Sequence, residues 1–224
     1  MTPRQLILNI QPEAEPRFDN FLPGDNLELL MALDVLARGD LREFVVYVWG
    51  APGGGRSHLL RATHDEAVGH GLNVVFSTGA DLPDEMPRLL VVDDVDGLGA
   101  EAQVRLFDLI NQARDGAGTV LASGPCAPAQ LGVRTDLATR LGWGLVFGLR
   151  PLNDADRATA IKERAAARGL ALPDEVARYL LTYGRRDLPS LLATVDALDT
   201  YSMSLKRPVT VALAREVLSD KATK

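Results

Sequence analysis

Apolar and polar positions change period several times along the chain. Leu29, Leu30, Leu33 and Leu36 recur at helical spacing, Asp25 or Asn26 can cap them and Gly39 ends the run, which predicts a helix over 27–38. From residue 44 onward, short β-rich runs alternate with helical stretches. Strands are expected at 44–49, 72–76, 88–92, 119–122 and 145–149, and helices at 57–71, 100–114 and 136–141. The run at 88–92 is continuously apolar, the pattern of a strand buried on both faces.

After Pro151 the pattern becomes helix only. A helix over 154–168 ends at Gly169, a second starts at Leu172-Pro173-Asp174 and runs to about 183, a third runs from Asp187 or Pro189 to about 203, and Thr210 caps a last one to about 218. Strands separated by helices, then helices alone, predict an α/β fold: a parallel sheet flanked by helices, followed by a small all-helical domain. The expected boundaries are a tip and linker at 1–16, the α/β domain at 17–151 and the helical domain at 152–224.

Composition narrows the setting. Hydrophobic residues make up 46% of the 224 and charged residues 24%, enough for a core and against global disorder. Cys126 is the only cysteine, which excludes an intrachain disulfide and fits a reducing compartment. No run nears the ~20 apolar residues that cross a bilayer, and the apolar stretch at 6–10 behind one arginine is too little for a signal peptide. A cytoplasmic protein is expected. Residues 1–150 carry 12 basic against 20 acidic side chains, and 151–224 carry 12 against 10. That balance argues against autonomous, non-specific DNA binding, which needs phosphate neutralisation.

Gly50-Ala51-Pro52-Gly53-Gly54-Gly55-Arg56-Ser57 fits G-x-x-x-x-G-[K/R]-[S/T], directly after a strand and before a helix. Glycines let backbone N–H groups converge on phosphate oxygens, and the helix N-terminus adds partial positive charge. Ser57 is placed to ligate Mg²⁺. The usual lysine is Arg56, and all four lysines lie at or beyond residue 162, so none is near in sequence to replace it. A planar, bulky guanidinium follows the β/γ-phosphates less well than an ammonium. Phosphate binding is expected to survive, with hydrolysis by this chain weak at most.

Leu89-Leu90-Val91-Val92-Asp93-Asp94 supplies the second half of a nucleotide site. A buried strand ending in a carboxylate presents Asp93 beside the loop to hold Mg²⁺ through water, and Asp94 is the candidate for orienting an attacking water. Together the two motifs indicate a P-loop nucleotide-binding protein, with ADP or ATP and Mg²⁺ as the expected ligands.

Phe18-Asp19-Asn20-Phe21-Leu22-Pro23-Gly24-Asp25-Asn26, the Asp93-Asp94 pair and Arg140-Leu141-Gly142-Trp143-Gly144 together resemble the AAA+ domain of the bacterial replication initiator DnaA, over roughly residues 17–218. DnaA would continue into a helix-turn-helix domain, for which no segment is expected here. A DnaA-like module of this kind, with a Gln-Leu-x-Leu tip, resembles the Hda family of regulators that inactivate DnaA. The resemblance implies that Phe18, Phe21 and Leu22 pack on adenine and that Pro52, Gly53, Gly54, Gly55, Arg56, Ser57 and His58 wrap the phosphates. It further implies that Ser57 and Asp93 serve Mg²⁺ and that Arg186, or its neighbour Arg185, is the lid's sensor arginine. Arg140 falls on the arginine finger that reaches the γ-phosphate of a neighbouring subunit. Gly124 stands where DnaA carries an acidic residue, with Ser123 a weak substitute.

Gln5-Leu6-Ile7-Leu8-Asn9-Ile10 resembles the short peptide that docks on the β sliding clamp of DNA polymerase III, with Leu6, Leu8 and Ile10 in an apolar groove and Gln5 at its rim. The implied partners are DnaA and the clamp, with DNA met only through the clamp, no membrane, and room for a homodimer through the two unlike faces of the module. The implied function is negative regulation of replication initiation. A DnaA-related helicase-loading adaptor, a stand-alone P-loop NTPase and a nucleotide-free scaffold are the alternatives.

Overall fold

A computed structural model describes residues 15–79, 81–185 and 187–222. The expected α/β order is present: α1 (Leu27–Ala37), β1 (Val45–Trp49), α2 (Arg56–Gly69), β2 (Val74–Ser77), β3 (Leu89–Val92), α3 (Ala100–Gln112), β4 (Thr119–Gly124), α4 (Thr135–Leu141) and β5 (Leu145–Gly148). Four helices follow, α5 (Asp154–Ala167), α6 (Asp174–Tyr183), α7 (Leu188–Leu205) and α8 (Val211–Ala222). All strand pairs are parallel, in the order β2-β3-β4-β1-β5.

Burial along the strands reflects this order. The residues of β3 and β4 are buried throughout, whereas the edge strand β5 alternates between half-buried and exposed positions. Successive side chains face opposite layers. Val45, Tyr47, Leu90 and Val92 pack with Leu106, Leu109 and Ile110 of α3 and Leu137 and Leu141 of α4. Val46, Val48, Leu89 and Val91 pack instead with Leu29 and Leu33 of α1 and Leu59 and Leu60 of α2. A third cluster is built from α5 to α8 alone, around Ile161, Val176, Leu180, Val195, Leu198 and Leu213.

The observed limits differ from the expected ones in instructive places. β2 starts at Val74 rather than 72, because the Leu72 N–H bonds back to the Ala67 carbonyl at 3.0 Å and still belongs to the end of α2. β4 runs on to Gly124, since Ser123 and Gly124 pair with Val48 and Trp49 of β1. Asn26 flanks α1 without capping it by its side chain. Its buried amide instead donates to the Arg150 carbonyl at 2.9 Å and accepts from the Arg150 N–H at 2.7 Å, clipping the start of α1 to the segment after β5. Caps do form from Asn153 to Asp156, from Asp187 to Ser190 and from Thr210 to Leu213. Among the described residues, no helix is long and apolar enough to cross a membrane.

Candidate functional site

The C-terminal ends of β1, β3 and β4 lie side by side, and the glycine-rich loop springs from β1, the usual place for a ligand in a parallel sheet. Gly53 and Gly55 sit at φ +75° and +103°, conformations that L side chains rarely adopt. A Cβ on Gly55 would also stand 2.7 Å from the Phe21 ring. α2 begins at the next residue, so the N–H groups of its first turn, Arg56, Ser57 and His58, lack acceptors within the helix and can receive an anion.

A cavity of about 310 Å³ opens over this loop. Gly53 to His58 form its floor, and Asn20, Phe21 and Leu22 form one wall. His58 holds that wall in place: its Nε2 donates to the Arg17 carbonyl at 2.9 Å, and its ring lies 5.6 Å from that of Phe21. Phe21 thus both lines the cavity and packs on the core, while Phe18 packs on the core without lining the cavity. Pro52 is also outside the lining. The opposite wall, not foreseen from the sequence, comes from Arg150, Pro151, Leu152, Arg157, Asp187, Leu188 and Pro189. A Cβ on Gly53 would lie 3.0 Å from that of Asp187, so the start of α7 rests almost directly on the loop.

Behind the loop, the two acids of β3 are held differently. Asp93 is 5% exposed and accepts a hydrogen bond from the buried Ser123 hydroxyl, which in turn accepts the Asp94 N–H at 3.0 Å. Ser123 is therefore the polar residue of β4 that engages the acids. A side chain at Gly124 would collide, because a Cβ there would stand 2.1 Å from the Tyr47 hydroxyl, itself donated to the Cys126 carbonyl at 2.9 Å. Burial, reinforced by Cys126, raises the Tyr47 pKa well above its ordinary value.

Asp94 adopts a left-handed conformation, φ 53° and ψ 62°, rare for a residue other than glycine and costing about 1–3 kcal/mol. Its carboxylate accepts from Arg56 Nη2 at 3.0 Å. Burial, then the neighbouring Asp93, pushes its pKa up, and Arg56 opposes them. Arg56 is only 9% exposed, and its Nη1 is buried with no hydrogen-bond partner. The cation expected at the phosphates is thus turned toward Asp94, with one nitrogen still lacking an acceptor. A phosphate oxygen would supply one, so the residues present fit a bound nucleotide. Among the described residues no cluster of three or more His, Cys, Asp or Glu could hold a metal by itself. A Ser57 hydroxyl and an Asp93 carboxylate suit Mg²⁺, which takes much of its shell from water and phosphates.

Arg140 lies apart from this cavity, in the last turn of α4. Its guanidinium carbon is 3.7 Å from the centre of the Trp143 ring and 5.1 Å from that of Phe107 on α3. Arg186, Gln5, Leu6, Leu8 and Ile10 lie outside the described residues. Arg185 is ion-paired with Asp187 at 3.2 Å.

The helical region carries a family signature: the model of the Hda lid domain matches residues 154–218. The chain superposes on domain III of the replication initiation protein DnaA from Thermotoga maritima with a TM-score of 0.76 and 22% identity, covering 93% of this chain and 97% of that one. Over residues 154–218 the chain is thus similar to the Hda lid, and as a whole it shares the fold of DnaA domain III. AMPPCP-bound DnaA from Aquifex aeolicus gives a TM-score of 0.72 at 22% identity, over 86% of this chain and 67% of that one. A DnaA bound to AMPPCP and single-stranded DNA gives 0.71 at 21%, over 87% and 69%. The sheet region and the helical region meet at the cavity, where the glycine loop faces the start of α7.

Proposed function

We propose that this protein regulates the initiation of DNA replication by stimulating hydrolysis of ATP bound to DnaA. In this reading residues 17–151 form the nucleotide-binding domain, 152–224 form the lid and 1–16 form a tip that docks on the β sliding clamp through Gln5, Leu6, Leu8 and Ile10. The Hda-type lid and the fold shared with DnaA support a DnaA-related regulator. The AMPPCP carried by two of the similar structures supports a nucleotide in the cavity.

The observation that carries the reading is an asymmetry between two arginines. Arg56, at the chain's own phosphate loop, is engaged by Asp94. Arg140 has no carboxylate within 4.0 Å among the described residues. Held by the N–H groups of the loop and first turn of α2, with Ser57 and Asp93 toward Mg²⁺, an ADP or ATP would act as a structural ligand that orders core and lid. Phe21 and Leu22 would flank the base, and Arg186 would reach the phosphates from the lid. Asp94, committed to Arg56, is poorly placed to orient water, so hydrolysis by this chain is weak.

Arg140 would supply what the partner lacks. Its N–H groups donate to oxygens of the partner's γ-phosphoryl group, where negative charge develops during transfer. A finger supplied in trans is worth roughly 10³–10⁵ in rate. Loss of the γ-phosphate then converts DnaA to its ADP form. Phosphate release from ATP-loaded DnaA, measured with DNA-loaded clamp and this protein, is the deciding experiment. The wild-type chain accelerates it and Arg140→Ala, with an unchanged melting curve, does not. Equal acceleration by the variant would remove the finger assignment.

A further inference from the structure

Arg140 is held in an unusual way for a surface arginine. Its guanidinium lies over the Trp143 ring at 3.7 Å and faces Phe107 at 5.1 Å. Its Nη1 is buried with no partner. By contrast, Arg105 and Arg114, on α3 and its continuation, and Arg134, at the start of α4, each have a carboxylate within 3.5 Å. Arg114 also approaches Trp143, at 5.8 Å, but its charge is already met by Asp115.

The difference has a physical consequence. A carboxylate would fix Arg140 by neutralising it, and a phosphate would then have to displace that carboxylate. An aromatic face attracts the cation through its quadrupole and restricts a flexible side chain while leaving the positive charge and the N–H donors uncommitted. Trp143 is itself 46% exposed, so it forms a platform at the surface rather than a buried core contact.

We propose that Trp143 is the positioning residue of the arginine finger: it holds the Arg140 guanidinium in a fixed orientation, unneutralised, for the phosphate oxygens of a nucleoside triphosphate bound to a neighbouring AAA+ protein. The proposal rests on the finger reading given above. Phe107 closes the inner side of the same platform, where Nη1 is buried, so the finger would meet the phosphate with its remaining N–H groups.

Two measurements test it, on the full chain. In the DnaA assay, Trp143→Leu lowers the rate at saturating protein about ten-fold and moves the half-saturating concentration less than about two-fold. Trp143→Phe, which keeps a ring, retains most of the rate. With the protein alone, NMR of the arginine side chains shows the Arg140 Nε–H proton moved upfield by the Trp143 ring current, and Trp143→Leu returns it to the ordinary position. A wild-type rate for Trp143→Leu beside an inactive Arg140→Ala overturns the positioning role and leaves the finger standing. A raised half-saturating concentration with an unchanged saturating rate makes Trp143 a docking contact and also overturns it. A wild-type rate for Arg140→Ala overturns both.

Discussion

Arg56 and Asp94 are joined by an ion pair at 3.0 Å that links the first residue of α2 to the end of β3. The pair is lopsided, with side-chain exposures of 9% for Arg56 and 56% for Asp94. Removing the acid therefore strands the buried member. Asp94→Ala is expected to lower the stability of the ligand-free protein by about 1–2 kcal/mol, the lower part of the range for charged hydrogen bonds because water screens Asp94. Phosphate oxygens would replace the lost counter-charge, so the rise in melting temperature on adding Mg-ADP should be larger for the variant than for wild type. Equal shifts for the two proteins would mean that Arg56 does not turn to the nucleotide.

Tyr47 and Gly124 form a second coupled pair, on adjacent strands. Gly124→Ala should cost about 1–3 kcal/mol, because the new methyl collides with the Tyr47 hydroxyl in a packed layer. Tyr47→Phe removes the hydroxyl and leaves the Cys126 carbonyl short of a donor, a loss of about 1 kcal/mol. Denaturant melts of the double variant should recover much of the Gly124→Ala penalty, giving a favourable interaction energy in the cycle. Strict additivity would show that the methyl is accommodated elsewhere.

Acid should loosen the helix that carries Arg140. The hydrogen bond from Arg134, then that from the Leu137 N–H, holds the Asp136 carboxyl at about 2, below the ordinary 3.8. A carboxyl whose folded pKa is depressed contributes stability that is complete above the unfolded value and is lost as the pH falls toward the folded one. Melting temperatures compared at about pH 6 and about pH 3 should therefore fall less for Asp136→Asn than for wild type. An identical drop would remove Asp136 from the acid response.

The order of elements and the glycine loop were legible in the sequence because period and glycine spacing are local signals. The resemblance to DnaA pointed to Phe21 and Leu22, and both line the cavity. The far wall of the cavity was not. Arg150, Arg157, Asp187 and Pro189 carry no local mark of a place in its lining; Arg157, Asp187 and Pro189 join it only because α5 and the start of α7 fold back to the sheet end. Asn26 was misread for the same reason. An Asn before an apolar helical run looks like a cap, but its amide finds a better pair of partners in the Arg150 backbone, 124 residues away. Gly124 looked like a missing acid; the strand register that brings Tyr47 beside it is invisible until β1 and β4 are paired.

The sheet order also sets a timetable for synthesis. β1 carries the phosphate loop, yet its neighbours are β4 and β5, so when the ribosome has delivered β1, β2 and β3 only the last two can join. The loop gains its footing once the chain has emerged through Gly124, and the cavity wall closes later still, with α7. A nascent chain therefore completes the cavity only after the start of α7 has emerged, and until β4 arrives the apolar stretch Val45–Trp49 is a segment for chaperones to shield.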